Sequence, residues 1–481
     1  MPKIGIIGSG IGGLAAAVRL ATKGYHVEVF EKSAIPGGKL SQIEQDGFRF
    51  DTGPSLFTLP SLLEEILALD RSDTKKPFEY VELDTVCRYF YPDGLFIDAF
   101  RDIDSFGREI EEKTNVSSEK VKTYLRQSEE VYHLTKDVFI FNDIKNLKSF
   151  LNFGTLKSIL LAWKLHPFRS LHEENRRAFK DARVIQLFDR FATYNGSDPY
   201  RAPATLKVIP HLEHNIGAFF PRKGMYSIIG VLVEMAQEAG VTFHFREEIK
   251  SINTHQGRVS GFTSDRASYD FDYVISDADV YSIPKLLGKP SAHGPQHDAQ
   301  LSSSALIFYW GMKIQTDKLK LHNILFSKDY KHEFDCLFDK NTLSDDPTVY
   351  IFISSKEVPT DAPPGHENWF VMINAPRNNG QDWDELTTAV RKNIIDKIHD
   401  MLEIDVEKHL LFEHCATPET IEKNTGSYRG ALYGLNSNSV GSAFRRHPNY
   451  LRNMKGLYFV GGSVHPGGGS VGSFYRFKKV T

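Results

Sequence analysis

The chain has 481 residues, of which 41% are apolar and 25% charged, and this length predicts two or three domains with a sizeable core. Its 58 basic and 61 acidic residues give a net charge of −3, which argues against a dedicated nucleic-acid-binding protein. The three cysteines lie far apart, so the sequence has no disulfide framework and fits a reducing compartment. The 18 histidines lack the spacing of a metal site, and we expect no bound metal.

The first thirty residues predict the start of an α/β nucleotide-binding unit. A β-rich run over residues 3–8 leads into a glycine-rich turn at residues 8–13. A helix-favouring run over residues 14–21 and a second β-rich run over residues 25–30 follow. Strand, glycine turn, helix and strand in this order are typical of a dinucleotide-binding motif.

The positions of the glycines explain how such a motif binds its ligand. Gly8 permits the tight turn, Gly10 lets the backbone approach a pyrophosphate, and Gly13 lets the helix pack against the sheet. The pyrophosphate would then lie on the free amides and the positive dipole end of the helix. Glu31, 18 residues after Gly13, is placed to accept a hydrogen bond from a ribose 2′-hydroxyl. We therefore predict dinucleotide binding; the alternative is a glycine-rich turn without a ligand.

The same N-terminal region superficially resembles a signal peptide, because a lysine precedes the apolar stretch 4–20. Four glycines are unusual in the apolar part of a signal peptide, and cleavage would remove the nucleotide motif, so we predict that the segment is retained. No run reaches the roughly 18 apolar residues that a membrane-spanning helix needs. The protein is expected in the cytoplasm, where it can attach to the membrane surface.

Two further glycine-rich loops, residues 36–40 and 47–55, follow the acidic residue of the motif. Together they would let backbone lie along an extended cofactor. A nicotinamide-only dehydrogenase would usually continue with another βαβ unit instead, and no second Gly-x-Gly-x-x-Gly in a strand–helix context occurs in the chain. These loops favour FAD over NAD.

The middle of the chain predicts a second domain built from a sheet and helices. Residues 84–100 are typical of a hairpin, and β-rich runs occur at 304–314, 348–355 and 368–375. We expect these runs to form one sheet whose inner face lines a tunnel. Residues 118–215 are mostly helical in pattern.

Two other segments of the middle return to the nucleotide-binding domain. Residues 221–252 predict a turn, a helix to residue 239 and strands at 241–245 and 248–249. Residues 273–279 predict another strand and turn of the same domain.

Residues 144–172 form a basic, aromatic segment without any acidic side chain. Their five cationic residues are interleaved with Phe, Leu, Ile and Trp, and they are Lys145, Lys148, Lys157, Lys164 and Arg169. Such a segment can lie in an anionic membrane interface. The alternative is a helix that packs on its own domain and presents a solvated lysine face.

The C-terminal region repeats the strand-and-glycine pattern. A β-rich run at residues 456–460 enters Gly461 and Gly462, and a His-Pro-Gly loop with His465 continues to Gly469. A chain whose two ends approach one cofactor fits a two-lobed flavoprotein.

Residues 37–39, 50–55 and 456–469 resemble the FAD-binding amine-oxidase-type superfamily and are most similar to its bacterial carotenoid desaturase branch. Thr417-Pro418, Gly430 and Gly434 also match that branch. The chain departs from the family at Lys223, where the family has glycine. It departs again beyond Gly469, where a basic tail replaces the family's Gly-Ile/Val-Pro turn and closing helix. We place no site residue beyond Gly469.

The resemblance implies an α/β fold with a Rossmann-type FAD-binding domain and a mixed-sheet plus helical substrate domain. The FAD-binding domain is expected to be discontinuous, with residues 1–80, 216–290 and 410–481. The substrate domain is expected to comprise residues 81–215 and 291–409, including a helical region near 120–215 that can associate with the membrane.

The nucleotide motif and the resemblance together predict the cofactor-binding residues. The backbone at Ile249 is expected to meet the adenine. The full set is Gly8, Gly10, Ile11, Gly12, Gly13, Glu31, Lys32, Gly38, Lys39, Leu40, Gly53, Pro54, Ser55, Ile249, Gly461, Gly462 and Gly469. Because the flavin accepts the hydride, no catalytic side chain is nominated. His465 is the one acid–base candidate, and a role in shaping its loop is favoured over a role as a base.

The implied activity is hydride transfer from a carotenoid to FAD, which creates a conjugated C=C bond. Residues 38–41, 54–58 and 462–466 look more like hydroxycarotenoid 3,4-desaturases than phytoene desaturases. The alternatives are a phytoene desaturase, a flavin-dependent carotenoid isomerase and a non-catalytic isoprenoid-binding protein of the same fold. The expected partners are a carotenoid substrate, a membrane surface, and oxygen or a quinone as electron acceptor.

Overall fold

The computed structural model describes residues 1–70, 78–136, 166, 168–289, 300–439, 441, 445–465 and 467. The basic segment 144–172 lies outside these residues except at residues 166 and 168–172, and so do Gly469 and the tail after it. In the part of the chain that the structure describes, no helix combines the length and the hydrophobicity of a transmembrane span.

A nine-stranded sheet contains the predicted nucleotide motif. Its strands in spatial order are β10 (Ile249–His255), β11 (Arg258–Ser264), β20 (Met454–Phe459), β13 (Tyr273–Ser276), β1 (Lys3–Ile7), β2 (His26–Glu31) and β9 (Thr242–Phe245), with β12 (Ser268–Asp270) beside β11 and β19 (Tyr450–Leu451) beside β20. The five strands from β20 to β9 run parallel. Their carboxyl ends therefore meet at one edge, where ligands bind in open α/β sheets.

Helix α1 (Ile11–Ala21) connects β1 to β2 and is buried almost throughout. Its small residues Ala15, Ala16 and Ala17 allow it to approach the sheet closely. The helix ends at Ala21, and Gly24 then adopts φ +89°, which lets the chain turn back into β2. The strand, turn and helix lie where the sequence predicts them.

A seven-stranded sheet forms the second layer. Its strands in spatial order are β18 (Leu410–Ala416), β14 (Ser304–Met312), β17 (Glu367–Ala375), β16 (Val349–Phe352), β15 (His322–Leu325), β6 (Thr85–Phe90) and β7 (Phe96–Phe100). The predicted hairpin and the three predicted β-rich runs of the middle region all lie in this sheet. Two short ribbons complete the strands of the described residues: β3 (Gln42–Gln45) with β4 (Phe48–Asp51), and β5 (Tyr80–Glu82) with β8 (Phe219–Pro221).

The seven-stranded sheet has two different faces because side chains alternate along each strand. On β14, Leu306, Phe308 and Trp310 point to a core that also contains Ile394 and Ile398 of helix Trp383–Leu402. Their neighbours on the same strand point to the other face, towards the cavity described below.

The remaining α-helices of the described residues include several in the predicted helical region, at residues 103–135 and 171–210. They are α2 (Ser61–Leu67), α3 (Ile103–Lys113), α4 (Ser118–Thr135), α5 (Leu171–Ala178), α6 (Ala182–Asp189), α7 (Val208–Pro210), α8 (Ser227–Glu238), α9 (Ile283–Leu286), α10 (Tyr330–Asp335), α11 (Trp383–Leu402), α12 (Val406–His409) and α13 (Pro418–Thr425). Capping by Asp102 and Asp181, whose carboxylates accept from Ser105 and Arg183 amides, begins α3 and α6.

Strand β18 bears on the expected domain division. The division assigns residues 410–481 to the FAD-binding domain, whereas β18 pairs with β14 over Ile307–Met312 in the seven-stranded sheet. Among the described strands of residues 410–481, β19 and β20 therefore join the nine-stranded sheet, and β18 does not. We propose the same two discontinuous domains, with the strand 410–416 as part of the sheet of the substrate domain.

Candidate active site

One large cavity, of about 1110 Å³, lies between the carboxyl edge of the nine-stranded sheet and the inner face of the seven-stranded sheet. Its lining comes from both sheets and from the three glycine-rich loops. Cavities of this size hold cofactors and substrates in proteins, and they are mostly apolar with a few polar groups. The two parts of the cavity differ in chemistry.

The glycine turn and the start of α1 form the first part. The parallel strands β1, β2, β13 and β20 lead into Gly8, Glu31, Asp277 and Gly461, so these residues meet at one edge. Gly8 adopts φ +95°, and its amide donates to the Phe30 carbonyl at 2.8 Å. No side chain caps α1 from its N-cap position at Gly10, which leaves its first amides directed at the edge.

The glycine-rich loops pack directly on one another. The Gly37 amide donates to the Ser9 carbonyl at 2.9 Å. A Cβ atom on Gly53 would lie 2.0 Å from the Lys39 carbonyl oxygen, and one on Gly12 would lie 2.9 Å from the Gly461 amide nitrogen. Only glycine allows these approaches. Backbone surface that converges in this way fits an extended dinucleotide such as FAD.

Gly13→Ala tests this cradle. A Cβ at residue 13 would lie 2.2 Å from the Gly8 carbonyl oxygen, so the turn or the helix must shift. We expect FAD affinity to fall about 100-fold, which corresponds to roughly 3 kcal/mol of overpacking. Quenching of flavin fluorescence on titration measures the affinity.

The matched control is Gly230→Ala in α8, where a Cβ would meet nothing within 4 Å. This variant should bind FAD like the wild type and gain about 0.5–1 kcal/mol of stability. Equal FAD affinity of the Gly13 variant and the wild type would show that the turn is not the cofactor cradle.

Glu31 lies where the motif predicts it, at the end of β2. Its carboxylate is buried and accepts from the Ser9 amide at 2.9 Å, the Ser9 hydroxyl at 2.8 Å and the Ser33 amide at 2.9 Å. These bonds hold the glycine turn against the strand that carries Glu31. The neighbouring Lys32 is exposed, and Ile249 at the start of β10 lines the same part of the cavity.

Asp277 occupies the space between the glycine turn and the C-terminal loop. Cβ atoms on Gly10, Gly12 or Gly461 would each lie 2.4–2.6 Å from its carboxylate oxygens. Burial raises the pKa of Asp277 to about 7, and the nearby Glu31 charge acts in the same direction. The amides of Gly13 and Gly10, which hydrogen-bond the carboxylate, and the Lys39 charge oppose this increase.

Lys39 and Arg446 tie the loops to the C-terminal region. The Lys39 ammonium donates to the Leu432 carbonyl at 2.6 Å, and its burial lowers the pKa of this lysine. The Arg446 guanidinium donates to the carbonyls of Tyr433 at 3.0 Å and Leu435 at 2.7 Å. The Lys39 contact joins residues that lie 393 positions apart in the chain, and its acceptor Leu432 and the neighbouring Tyr433 both line the cavity.

The second part of the cavity is largely apolar. The seven-stranded sheet contributes residues from six neighbouring strands, β18 to β6. Their apolar and aromatic members include Val86, Ala305, Ile307, Tyr309, Ile324, Tyr350, Phe370, Met372 and Ala416. Residues of the helical region, including Val208, Ile209 and Leu212, line the side that faces the sheet. Such a wall can hold an extended hydrocarbon and exclude water from it.

One buried ion pair interrupts this wall. Arg190 donates to Glu213 at 3.0 Å and to the Tyr89 hydroxyl at 2.6 Å, and the Tyr194 hydroxyl donates to the other Glu213 oxygen. Arg190 is 8% and Glu213 1% exposed, and both line the cavity. The pair places two compensating charges, rather than a net charge, beside the apolar wall.

A second polar group lies on the sheet itself. His322 of β15 lines the cavity, and its Nδ1 lies 2.7 Å from the Tyr350 hydroxyl, which in turn lies 2.6 Å from the Ser55 hydroxyl. These hydrogen bonds connect the predicted cofactor loop to the apolar part of the cavity.

The structure brings most of the predicted cofactor-binding residues together. Those that line the cavity are Gly8, Gly10, Ile11, Gly12, Glu31, Lys32, Gly38, Lys39, Leu40, Gly53, Pro54, Ser55, Ile249, Gly461 and Gly462. Gly13 lies one residue deeper, against the Gly8 carbonyl, and Gly469 is outside the described residues.

His465 is placed differently from the cavity-lining residues. It is buried, and its amide donates to the His447 carbonyl at 3.0 Å while its carbonyl accepts from Asn449 at 3.4 Å. It is not among the described residues that line the cavity. This position suits the predicted role in shaping the loop better than a role as a base.

Sequence reasoning missed Asp277, Arg190, Glu213 and His322 as site residues. An aspartate at a strand end and a single histidine in a β-rich run are common and carry no spacing signal. The turn at Lys223 needs no glycine, because Lys223 is exposed and Gly224 alone adopts a positive φ, of +78°.

Comparisons with known proteins agree with this geometry. The model of the family described as flavin-containing amine oxidoreductase matches residues 11–473. A 1-hydroxycarotenoid 3,4-desaturase of Flavobacterium sp. (strain P99-3) is 46% identical over 98% of this chain and 96% of its own length. A 4,4'-diaponeurosporene oxygenase of Staphylococcus aureus (strain Mu50) is 30% identical over 96% of this chain and 94% of its own length.

Solved structures show the same fold at low identity. An oxidoreductase from Methanosarcina mazei superposes with a TM-score of 0.63 at 17% identity and covers 99% of both chains. A variant of putrescine oxidase has a TM-score of 0.63 at 15% identity and covers 99% of this chain and 97% of its own. The predicted α/β fold, FAD cofactor and carotenoid desaturase branch are confirmed, and the chain belongs to the family of flavin-containing amine oxidoreductases.

Proposed function

We propose that this protein is an FAD-dependent carotenoid desaturase that introduces a 3,4 double bond into a 1-hydroxylated carotene. The observation that carries the proposal is that one cavity joins a cradle of glycine-rich loops to a largely apolar wall. The 46% identical relative, named a 1-hydroxycarotenoid 3,4-desaturase, supports the choice of substrate and bond.

The chain's own residues bind, orient and exclude water in this reaction. We propose that the cofactor is held by the predicted set of glycines together with Ile11, Glu31, Lys32, Lys39, Leu40, Pro54, Ser55 and Ile249. When bound, the flavin supplies the hydride acceptor for oxidation of a CH–CH bond. Tyr309, Phe370 and Met372 of the sheet wall orient the polyene and keep the reacting bond dry.

Product analysis tests the proposal. FAD-loaded protein is mixed with liposomes that carry either phytoene or a 1-hydroxylated carotene, and products are separated with visible spectra. A red-shifted product from the hydroxylated carotene alone is the expected result. Turnover of phytoene would make the protein an early desaturase instead, and cis–trans conversion without new conjugation would indicate an isomerase. Loss of flavin on purification with retained isoprenoid binding would favour a binding protein.

We infer that oxygen or a quinone removes the electrons, because the sequence contains no second dinucleotide motif for a nicotinamide. Anaerobic photoreduction followed by mixing with air-saturated buffer or with a soluble quinone separates the two acceptors. Re-oxidation by NAD instead of either would contradict the inference.

We also propose that the protein attaches to the cytoplasmic face of the membrane through the basic segment 144–172, because its substrate dissolves in lipid. Phe168 at the described end of this segment is 93% exposed. Replacing Lys148, Lys157 and Lys164 by glutamate should abolish co-sedimentation with anionic liposomes.

A matched control changes the same charge elsewhere on the surface. Lys392, Lys408 and Lys455 are exposed, and their replacement by glutamate should leave liposome binding unchanged. Equal pelleting of both triple variants and the wild type would rule out attachment through the basic segment.

A further inference from the structure

We propose that His322 binds the hydroxyl group of the substrate and thereby positions the bond that is oxidised. This inference rests on the proposed function, since it assigns a residue to the group that distinguishes a 1-hydroxylated carotene from other carotenes. It concerns a polar atom in a wall that is largely suited to hydrocarbon.

His322 lines the cavity and has one ring nitrogen without a hydrogen-bond partner in the described part of the chain. The residue is 3% exposed and lies on the inner face of β15, next to the cavity-lining Ile324. Its ring is stacked on Phe352 at a centroid distance of 5.3 Å, which restricts its orientation. Nδ1 is bonded to the Tyr350 hydroxyl at 2.7 Å, whereas Nε2 is buried and has no hydrogen-bond partner among the described residues.

A buried polar atom without a partner costs free energy, because it has lost its bonds to water. A ligand group that pairs with Nε2 therefore binds more tightly than a hydrocarbon that covers it. Ile307, Ile324 and Phe370 of the same sheet wall are apolar, so the favoured ligand carries a polar group on a hydrocarbon body.

The chemistry of the site selects a neutral group. Burial and the nearby Arg190 charge lower the pKa of His322 to about 3, so the imidazole is neutral at physiological pH. A neutral imidazole has one donor and one acceptor nitrogen, and the Tyr350–Ser55 hydroxyl chain can bond to either tautomer. Nε2 can therefore donate to or accept from an alcohol, while it offers no charge to a carboxylate.

A second atom of the same region strengthens this reading. Arg190 also lines the cavity, and its buried Nε–H finds no acceptor in the described part of the chain. The guanidinium charge itself is compensated by Glu213. A hydroxyl oxygen is an acceptor that this donor can use.

The site is also linked by hydrogen bonds to a loop that is proposed to bind the cofactor. Ser55, at the far end of the hydroxyl chain, belongs to the loop proposed to bind the cofactor. In a 1-hydroxylated carotene, one carbon separates the carbinol carbon from the 3,4 bond. A hydroxyl held near the cofactor loop would therefore set which bond faces the hydride acceptor.

Binding measurements with matched ligands test the assignment separately from turnover. The ligands are a 1-hydroxylated carotene and its 1-deoxy analogue, and their dissociation constants are read from the polyene absorption of the FAD-loaded protein. We expect the wild type to prefer the hydroxylated ligand by about 10- to 100-fold, as for one buried hydrogen bond. His322→Phe should abolish this preference, so that the two ligands bind with equal affinity.

Two variants keep the test independent of folding. His322→Gln retains a polar group near the position of Nε2 and should keep part of the preference. His214→Phe is the matched control, because His214 is equally buried, stacks on Phe106 at 4.7 Å and is not among the described residues that line the cavity. It should keep the full preference, and the flavin spectrum of each variant reports whether the cofactor site is intact.

Three outcomes would overturn the inference: a wild type that binds both ligands equally, a Phe variant that keeps the preference, or a control variant that loses it equally. If the preference exists and depends on His322 but no product forms, the proposed desaturation fails while the hydroxyl site stands. If product forms but the Phe variant is as selective as the wild type, the hydroxyl site at His322 is wrong while the proposed desaturation stands.

Discussion

The FAD affinity of the wild-type protein is expected to fall as the pH rises above about 7, and Asp277→Asn should abolish this pH dependence. The carboxylate lies between the glycine turn and the C-terminal loop, where Cβ atoms on Gly10, Gly12 and Gly461 would collide with it. It accepts hydrogen bonds from amides at the start of α1, which are the groups that receive a pyrophosphate in this fold. A charged Asp277 would therefore repel the anionic cofactor, and a protonated one would not.

The direction follows from the surroundings of this carboxyl group. Burial raises the pKa of Asp277 to about 7, Glu31 adds to the increase, and Lys39 and the amides of Gly13 and Gly10 oppose it. Below about pH 7 the folded protein holds the proton, so affinity is constant. Above it, a proton must be taken up for FAD to bind, and the dissociation constant rises up to tenfold per pH unit.

The stability of the apoprotein should also depend on the protonation of Asp277. The unfolded chain loses this proton near the ordinary value of 3.8, whereas the folded chain keeps it to about 7. The contribution of Asp277 to stability therefore falls as the pH rises from about 4 to 7. The asparagine variant should lack this decrease and be the more stable form at pH 8.

FAD titrations between about pH 6 and 9 measure the affinity by flavin fluorescence. Asp272→Asn is the matched control, since Asp272 makes the same charge change at the exposed opposite end of β13. A slope that persists in the Asp277 variant, or disappears in the Asp272 variant, would show that another group controls the pH dependence.

Arg190→Met is expected to destabilise the protein by about 3–5 kcal/mol, because it leaves Glu213 buried without its cationic partner. Glu213 is 1% exposed and would retain only the Tyr194 hydroxyl from the present cluster. The loss should appear as a lower urea midpoint of the FAD-free protein, with unchanged binding of FAD at low urea.

The double variant Arg190→Met, Glu213→Gln distinguishes an uncompensated charge from lost packing. It removes the carboxylate as well as the guanidinium, so it should recover most of the midpoint lost by the single variant. A double variant that is no more stable than the single one would show that packing of the arginine side chain, and not its charge, carries the effect.

The cofactor half of the site could be predicted because its determinants are close together in the chain. Gly8, Gly10 and Gly13 lie within one turn, and Glu31 follows at the distance that one helix and one strand require. The C-terminal loop could be predicted as well, because it repeats the pattern of a strand that ends in glycines at Gly461.

The substrate half could not be predicted in the same way, because its determinants are dispersed. His322 and Ser55 are joined through Tyr350, which lies 295 residues from Ser55. Arg190 and Glu213 lie on different short helical segments, and each looks like an ordinary surface residue in its local sequence. Strand 410–416 has no local feature that tells which of two sheets it joins, since both sheets accept an alternating run.

The pairing of β20 with β13, and the contact of Gly461 with Gly12, have a consequence for biosynthesis. One wall of the FAD cradle comes from the first turn of the chain and another from a strand that ends at Phe459. Residues up to Gly461 must therefore have been translated before both walls of the cradle exist. We expect FAD to bind tightly only after that point of synthesis, so the supply of FAD acts on chains that already contain both walls.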